Sequence, residues 1–160
     1  RPADWNKEID INLMGPMKMC HAFLPGMYEQ SYGSIVNVSS ALSWMVDKNF
    51  SSYAAAKAGM NQMTKVMSYE LSPGVRVNAV APGAIETPSM EYITSNPKRK
   101  AEAERWIPLQ RLGQPRDIAL GVLYLASPAS GFVSGKILEI DGGMQAIPGT
   151  AIQEIIAKKQ

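Results

Sequence analysis

Apolar residues return every fourth position from Trp5 through Ile9 and Leu13 to Met17, which places them on one helical face. Asp4 stands where a helix cap is expected. Ser34-Ile35-Val36-Asn37-Val38 is short and β-branched, lies between Gly33 and Ser39, and predicts a buried strand. From Tyr53 to Leu71 the pattern is helical again: Tyr53, Met60, Met63, Met67 and Leu71 recur at three- and four-residue steps, and Pro73-Gly74 stops them. Val75 to Val80 predicts a second strand, ended by Pro82-Gly83. Residues 89–106 are polar and predict one or two short helices on the surface. Asp117 to Ala126, after Pro115, predicts a further helix. Ile137 to Ile140 predicts a third strand, closed by Asp141-Gly142-Gly143. The stretch 147–160 reads as a loop and a short frayed helix.

Helix and strand alternate three times, which is the pattern of an α/β fold with three parallel strands flanked by helices. Such sheets are covered on both faces. The first strand here is left with an open edge of unpaired backbone groups. The chain also opens on Arg1-Pro2-Ala3 rather than on Met and carries no signal-peptide pattern. Both features suggest the later portion of a longer or processed protein.

Composition narrows the function. Of 160 residues, 46% are hydrophobic and 19% charged, enough apolar material for one packed domain. Sixteen basic against 14 acidic side chains give a net charge of +2, which makes no electrostatic case for nucleic acid or an anionic membrane. The longest apolar run, Ile118 to Ala126, is 9 residues, against about 20 for a membrane span. A single cysteine, Cys20, excludes an internal disulfide and a Cys-cluster metal site, and points to a reducing, cytoplasmic setting. Cys20 beside His21 faces another side of its helix, so it reads as a small buried hydrophobe. Lys98-Arg99-Lys100 reads as a solvated face, and the methionines read mostly as core filler.

The chemistry lies elsewhere. Tyr53 and Lys57 are four apart on one helical face. An ammonium one turn away stabilises a phenolate, which brings tyrosine within range of acid–base work. The same spacing also occurs on ordinary solvated faces. Ser40 precedes Tyr53 by thirteen residues, just past the C-terminal end of the first strand, where open parallel sheets bind their ligands. Its hydroxyl can donate to a substrate oxygen, or Ser39-Ser40 can simply end the strand. Leu42, Trp44 and Met90 are candidate apolar walls of a substrate pocket, Trp44 being equally suited to packing.

At five stretches the sequence resembles the short-chain dehydrogenases/reductases: GSIVNVSS (33–40), YAAAKAG (53–59), VRVNAVAPGAIETP (75–88), RLGQPRDIA (111–119) and SGKILEIDGGM (134–144). Their order and gaps resemble that family over residues 1–146. The resemblance implies the C-terminal half of a Rossmann-type doubly wound sheet, followed by a tail at 147–160. It also implies an NAD or NADP cofactor and hydride transfer between a secondary alcohol and a ketone. By position it makes Tyr53 the acid/base, and has Lys57 bind the nicotinamide ribose and lower the Tyr53 pKa. Ser40 orients the substrate oxygen, and Asn12 supports a proton-relay water. Pro82, Gly83, Ile85 and Thr87 match the segment around the nicotinamide; without the resemblance they are an ordinary strand-to-loop turn.

One departure is large. No G-x-x-x-G-x-G or G-x-G-x-x-G pattern occurs in the 160 residues, nor an Asn-Asn-Ala-Gly element. The pyrophosphate cradle at a helix N-terminus is therefore not among them. Two readings stay open: the catalytic portion of an oxidoreductase, or an inactive fragment that acts only as an association or structural module. The stretches resemble both hydroxysteroid dehydrogenases and 3-oxoacyl-carrier-protein reductases. Leu42, Trp44, Met45 and Met90 would make an apolar site with no evident basic entrance for a phosphopantetheine arm, which tilts the reading toward the hydroxysteroid dehydrogenases and a small apolar alcohol or ketone. The resemblance further implies a homodimer or homotetramer, with residues 4–24 and 53–71 against a second subunit. Met14, Met17, Met60, Met63 and Met67 would supply apolar surface there. Pro16, which cannot donate to the carbonyl of Asn12, predicts either a kink near residues 12–16 with the Asn12 oxygen toward the Lys57 side, or one helix ending near Asn12 and another starting at Pro16.

Overall fold

The computed structural model describes residues 1–144; the expectations for residues 145–160, including the tail, lie outside the described residues. A helical arm opens the chain, formed by α1 (Pro2–Ile9), a π-helical turn (Asp10–Met14) and α2 (Gly15–Glu29). Arg1, not Asp4, is the N-cap, because Pro2 can begin the helix. Asp4 sits in the first turn, favourable for an anion, and pairs with Arg1 at 2.9 Å. The interruption expected around Pro16 takes the form of the π turn, in which Gly15 N–H reaches back to Asp10 O. Such wide turns take up a break in helical register. Pro16 then falls in the first turn of α2, the part of a helix that best tolerates a proline.

The rest alternates as the pattern predicts. β1 (Gly33–Val38) leads through a 3-10 turn (Ala41–Ser43) to α3 (Ser51–Glu70) and β2 (Val75–Pro82). A second 3-10 turn (Pro88–Met90), α4 (Glu91–Thr94) and α5 (Pro97–Arg105) form the polar excursion. α6 (Pro115–Ala126), a third 3-10 turn (Pro128–Ser130) and β3 (Ile137–Ile140) complete the described chain. The strands are all parallel, in the order β1-β2-β3. Gly33 stands opposite Val75 and Val38 opposite Val80; Ala79 stands opposite Ile137.

Side chains alternate across a strand, and this sorts the layers. Asn37 meets Thr64 of α3, and Ile35, Val75 and Val77 pack with Cys20 of α2 and Leu71. Val80 and Leu138 face Gly121 of α6 on the other side. Central β2 is thus covered on both faces, and Val75, Val77, Ala79, Val80 and Ala81 are buried. The Arg76 guanidinium ties β2 to the end of α6 through the carbonyls of Leu125, Ser127 and Val133 and the Ser130 hydroxyl.

Cys20 is buried and His21 exposed, as the helical spacing requires. The methionines divide: Met60 is a core residue and cannot serve the surface role expected of it, whereas Met19 is 58% exposed. The basic run is not a uniformly solvated face either. Lys100 pairs with Glu86 at 2.9 Å, and Arg99 lies over the Tyr92 ring at 4.0 Å.

Candidate active site

Three elements converge where β1 ends. Ser39 N–H continues the strand ladder to Val80 O at 2.8 Å, and Ser39 Oγ donates to Lys57 O at 3.3 Å. Ser40 is extended and caps the following 3-10 turn, its Oγ accepting from Leu42 N–H at 3.2 Å. Used in this way as an acceptor, the hydroxyl keeps its own proton for donation. Ser43 Oγ donates to Ser40 O at 2.7 Å, and Asn61 Nδ2 of α3 donates to Ser43 Oγ at 2.7 Å. The turn bearing Ser40 is thereby fastened to α3, the helix bearing Tyr53 and Lys57.

Tyr53 lies in the first turn of α3, half-buried, with Phe50 edge-on at 6.1 Å. One turn on, Lys57 is buried, and its ammonium sits 5.5 Å from the Tyr53 ring centroid. It donates to Val38 O at 2.8 Å, so the lysine also bridges α3 to the strand end. Burial pushes the Lys57 pKa down, and the charge of Glu8 works against that shift. Deeper in the same interface, Asn37 Nδ2 donates to Thr64 Oγ1 at 2.9 Å.

Asn12 lies in the π turn, with its side chain turned back onto α1: Nδ2 donates to the Glu8 carboxylate at 2.9 Å and to Glu8 O at 3.2 Å. The arm approaches α3 closely, since a side chain at Gly59 would meet Leu13 at 3.2 Å. Asn12 thus lies on the arm that packs on the helix bearing Lys57.

The 82–87 segment leaves the end of β2. Gly83 N–H donates to Ile140 O at 3.0 Å, and the backbone there nearly touches β3: a Cβ at Gly83 would lie 2.7 Å from Asp141 Cα. Ile85 pairs with Gly113, and Thr87 Oγ1 shares a hydrogen bond with Ser89 Oγ at 2.8 Å. Glu86, held by Lys100 and by Gln114 Nε2 at 2.8 Å, anchors the segment, and these donors keep its pKa low. Of the candidate apolar walls, Leu42 and Trp44 accompany Ser40, and Trp44 Nε1 is buried without a hydrogen-bond partner. Met90 belongs to a different segment, closing the turn after residue 87.

The structure therefore brings Ser40, Tyr53 and Lys57 together and sets Pro82 and Gly83 at the adjacent strand end. A cavity of about 510 Å³ borders Ile85 on the β3 side and is lined by Leu109, Arg111, Asp117 and Gly142 but by none of the Ser40, Tyr53, Lys57 group. Among the described residues no group of three or more His, Cys, Asp or Glu side chains is placed to hold a metal ion. No described helix is long and apolar enough to cross a membrane. Sequence reasoning passed over Glu8, Asn37, Ser43, Asn61 and Thr64. Asn61 and Glu8 carried a signal, being one helical turn from Lys57 and Asn12 respectively. The partnership of Asn37 with Thr64 spans the sheet–helix interface and left no local mark.

Residues 1–145 match a family profile described as Enoyl-(Acyl carrier protein) reductase. The 3-oxoacyl-[acyl-carrier-protein] reductase of Thermotoga maritima is 42% identical over 145 residues, which are 90% of this chain and 58% of that protein. 3beta-hydroxysteroid dehydrogenase 1 of Eggerthella lenta is 37% identical over 148 residues, 91% of this chain and 57% of that one. A crystal structure of a gluconate 5-dehydrogenase from Burkholderia cenocepacia, in complex with NADP and tartrate, superposes with a TM-score of 0.86 at 28% identity, covering 92% of this chain and 58% of that one. The chain thus spans less than two thirds of the length of each of these proteins.

Proposed function

The chain belongs to the short-chain dehydrogenase/reductase family, and we propose that it carries the proton-transfer half of an NAD(P)-dependent oxidoreductase that interconverts a secondary alcohol and a ketone. The observation that carries this reading is the buried Lys57 ammonium, 5.5 Å from the Tyr53 ring and bonded to Val38 O beside Ser40. Ser40 donates its proton to the substrate oxygen and holds it at Tyr53. In the reducing direction the Tyr53 hydroxyl passes its proton to that oxygen, and in the oxidising direction it takes the proton back. The nicotinamide ring, when bound, gives or accepts the hydride.

The chain's own residues fit one end of that cofactor. An ammonium has three protons to donate, and Val38 O takes one of those on Lys57; the ribose hydroxyls are suitable acceptors for the others. Pro82, Gly83, Ile85 and Thr87 border the nicotinamide. The Gly-rich turn for the pyrophosphate is not among the 160 residues. NADP is the cofactor named with the gluconate 5-dehydrogenase structure, and we assign NADP ahead of NAD on that likeness. Leu42, Trp44 and Met90 favour an apolar carbonyl compound. A cytoplasmic homodimer or homotetramer completes the reading, supported by exposed Ile11, Met19 and Phe23 on the helical arm.

The test is cofactor absorbance at 340 nm with the protein, NADPH or NADH, and three carbonyl classes: a 3-oxoacyl thioester, a 3-ketosteroid and a ketoaldonate. Turnover of the ketosteroid or thioester in preference to the ketoaldonate is expected. The second reading, an association module, is favoured by exposed Ile11, Met19 and Phe23 on the helical arm. Absence of turnover at millimolar cofactor, with a stable oligomer by light scattering, would establish it instead.

A further inference from the structure

Glu8 stands outside every stretch that carried the resemblance, yet the structure ties it to two residues of the site. It lies one helical turn before Asn12, and its half-buried carboxylate accepts from Asn12 Nδ2 at 2.9 Å, with Glu8 O accepting from the same amide at 3.2 Å. The arm holding both residues packs on α3 near Gly59, two positions past Lys57. Lys57 is a buried cation, and its ammonium donates to a neutral carbonyl, Val38 O. A carbonyl satisfies a donor but does not offset a charge, and a buried charge needs an opposite one.

The surroundings leave few candidates for that counter-charge. On α3 itself the titratable neighbour is Tyr53. The 3-10 turn Ala41–Ser43 and strand β1 bear no charge. In β2 the one charged residue, Arg76, is engaged with α6 and the residues after it. In the π turn Asp10 pairs with Lys18 at 3.1 Å. That leaves Glu8, half-buried on α1, a helix that packs on α3, and its charge works to raise the Lys57 pKa without direct contact.

We propose that Glu8 is a positioning residue of this site: its carboxylate holds the Asn12 amide and supplies a counter-charge to the buried Lys57 ammonium. The catalytic consequence rests on the proposed function; the effect on Lys57 does not. Glu8→Gln separates the two roles, because glutamine keeps an oxygen for the Asn12 amide and removes the charge. Glu8→Ala removes both.

The experiment follows the 13Cε signal of Lys57 in the full chain against pH, assigned by its loss in Lys57→Met, together with the Asn12 side-chain amide signals. Removing an opposite charge that lies beyond direct contact should lower the Lys57 midpoint by about 0.5–1 pH unit in both Glu8 variants. The Asn12 amide signals should stay in place in Glu8→Gln and move in Glu8→Ala, while the Lys100 midpoint holds in both. A Lys57 midpoint unchanged in Glu8→Gln overturns the counter-charge, and Asn12 signals unmoved in Glu8→Ala overturn the anchoring. Where the protein turns over, the pH limb that moves with Lys57 should shift by the same amount in Glu8→Gln at constant KM for the carbonyl compound; a limb that stays put overturns the catalytic consequence. None of the titrations needs turnover, so failure of the proposed function leaves the test of Glu8 intact.

Discussion

Replacing Thr64 by valine removes one hydroxyl from the interface that sets β1 against α3. Thr64 is fully buried and Asn37 nearly so, and the 2.9 Å bond between them is buried in the same interface as Ser40 and Lys57. Valine keeps the branched shape, so little cavity opens. What is lost is the acceptor for Asn37 Nδ2, and an unpaired buried donor costs about 1–3 kcal/mol. At this chain length each kcal/mol lowers Tm by about 2–4 °C. Asn37→Leu alone should cost less, because a helical threonine hydroxyl can turn to a carbonyl of its own helix. With both replaced, no polar group is left stranded, and the pair should be more stable than the sum of the single changes predicts, by about 0.5–3 kcal/mol. Urea denaturation of the four proteins measures this cycle directly. A Thr64→Val loss under about 0.5 kcal/mol, or strict additivity, would refute the claim that the Asn37 amide depends on Thr64 for its partner.

Gly83→Ala drives a methyl into the Asp141 backbone at 2.7 Å; it should cost about 1–3 kcal/mol and raise KM for cofactor more than it changes the Tyr53 chemistry, and an unchanged KM would contradict the close approach. Lys57→Met should abolish turnover yet be no less stable than the parent at pH 7. The Lys57 pKa lies below the ordinary 10.5, with burial as the cause. The unfolded chain therefore binds more protons between the folded and the unfolded value, and the parent gains stability as pH rises through that window. The stability advantage of Lys57→Met should shrink toward pH 10.5; an advantage that grows with pH would reverse the sign of the argument.

Periodicity made most of the fold legible. The third strand stands where the alternation put it, and the first two extend the predicted runs by one or two residues. Tyr53, Lys57 and Ser40 were legible because helix spacing and the strand end are local features. The π turn was legible only as a conflict, a proline where a helix needs a donor; its resolution depends on the arm packing on α3. Met60 was misplaced because a methionine at helical spacing looks alike whether it faces core or surface. Glu86, Asn61 and Thr64 act through partners 14, 18 and 27 residues away, and no local pattern encodes such distances.

The most direct test of the account is Tyr53→Phe, measured for turnover and for cofactor affinity in the same protein. Phenylalanine keeps the ring beside Phe50 and Lys57 and removes the proton. Losing a positioned acid/base should lower kcat at least about 10²-fold, while calorimetric affinity for NADPH stays within a factor of three of the parent on this account of Lys57 as the cofactor-holding group. A variant that turns over at the parent rate would contradict the assignment of Tyr53 as the proton carrier.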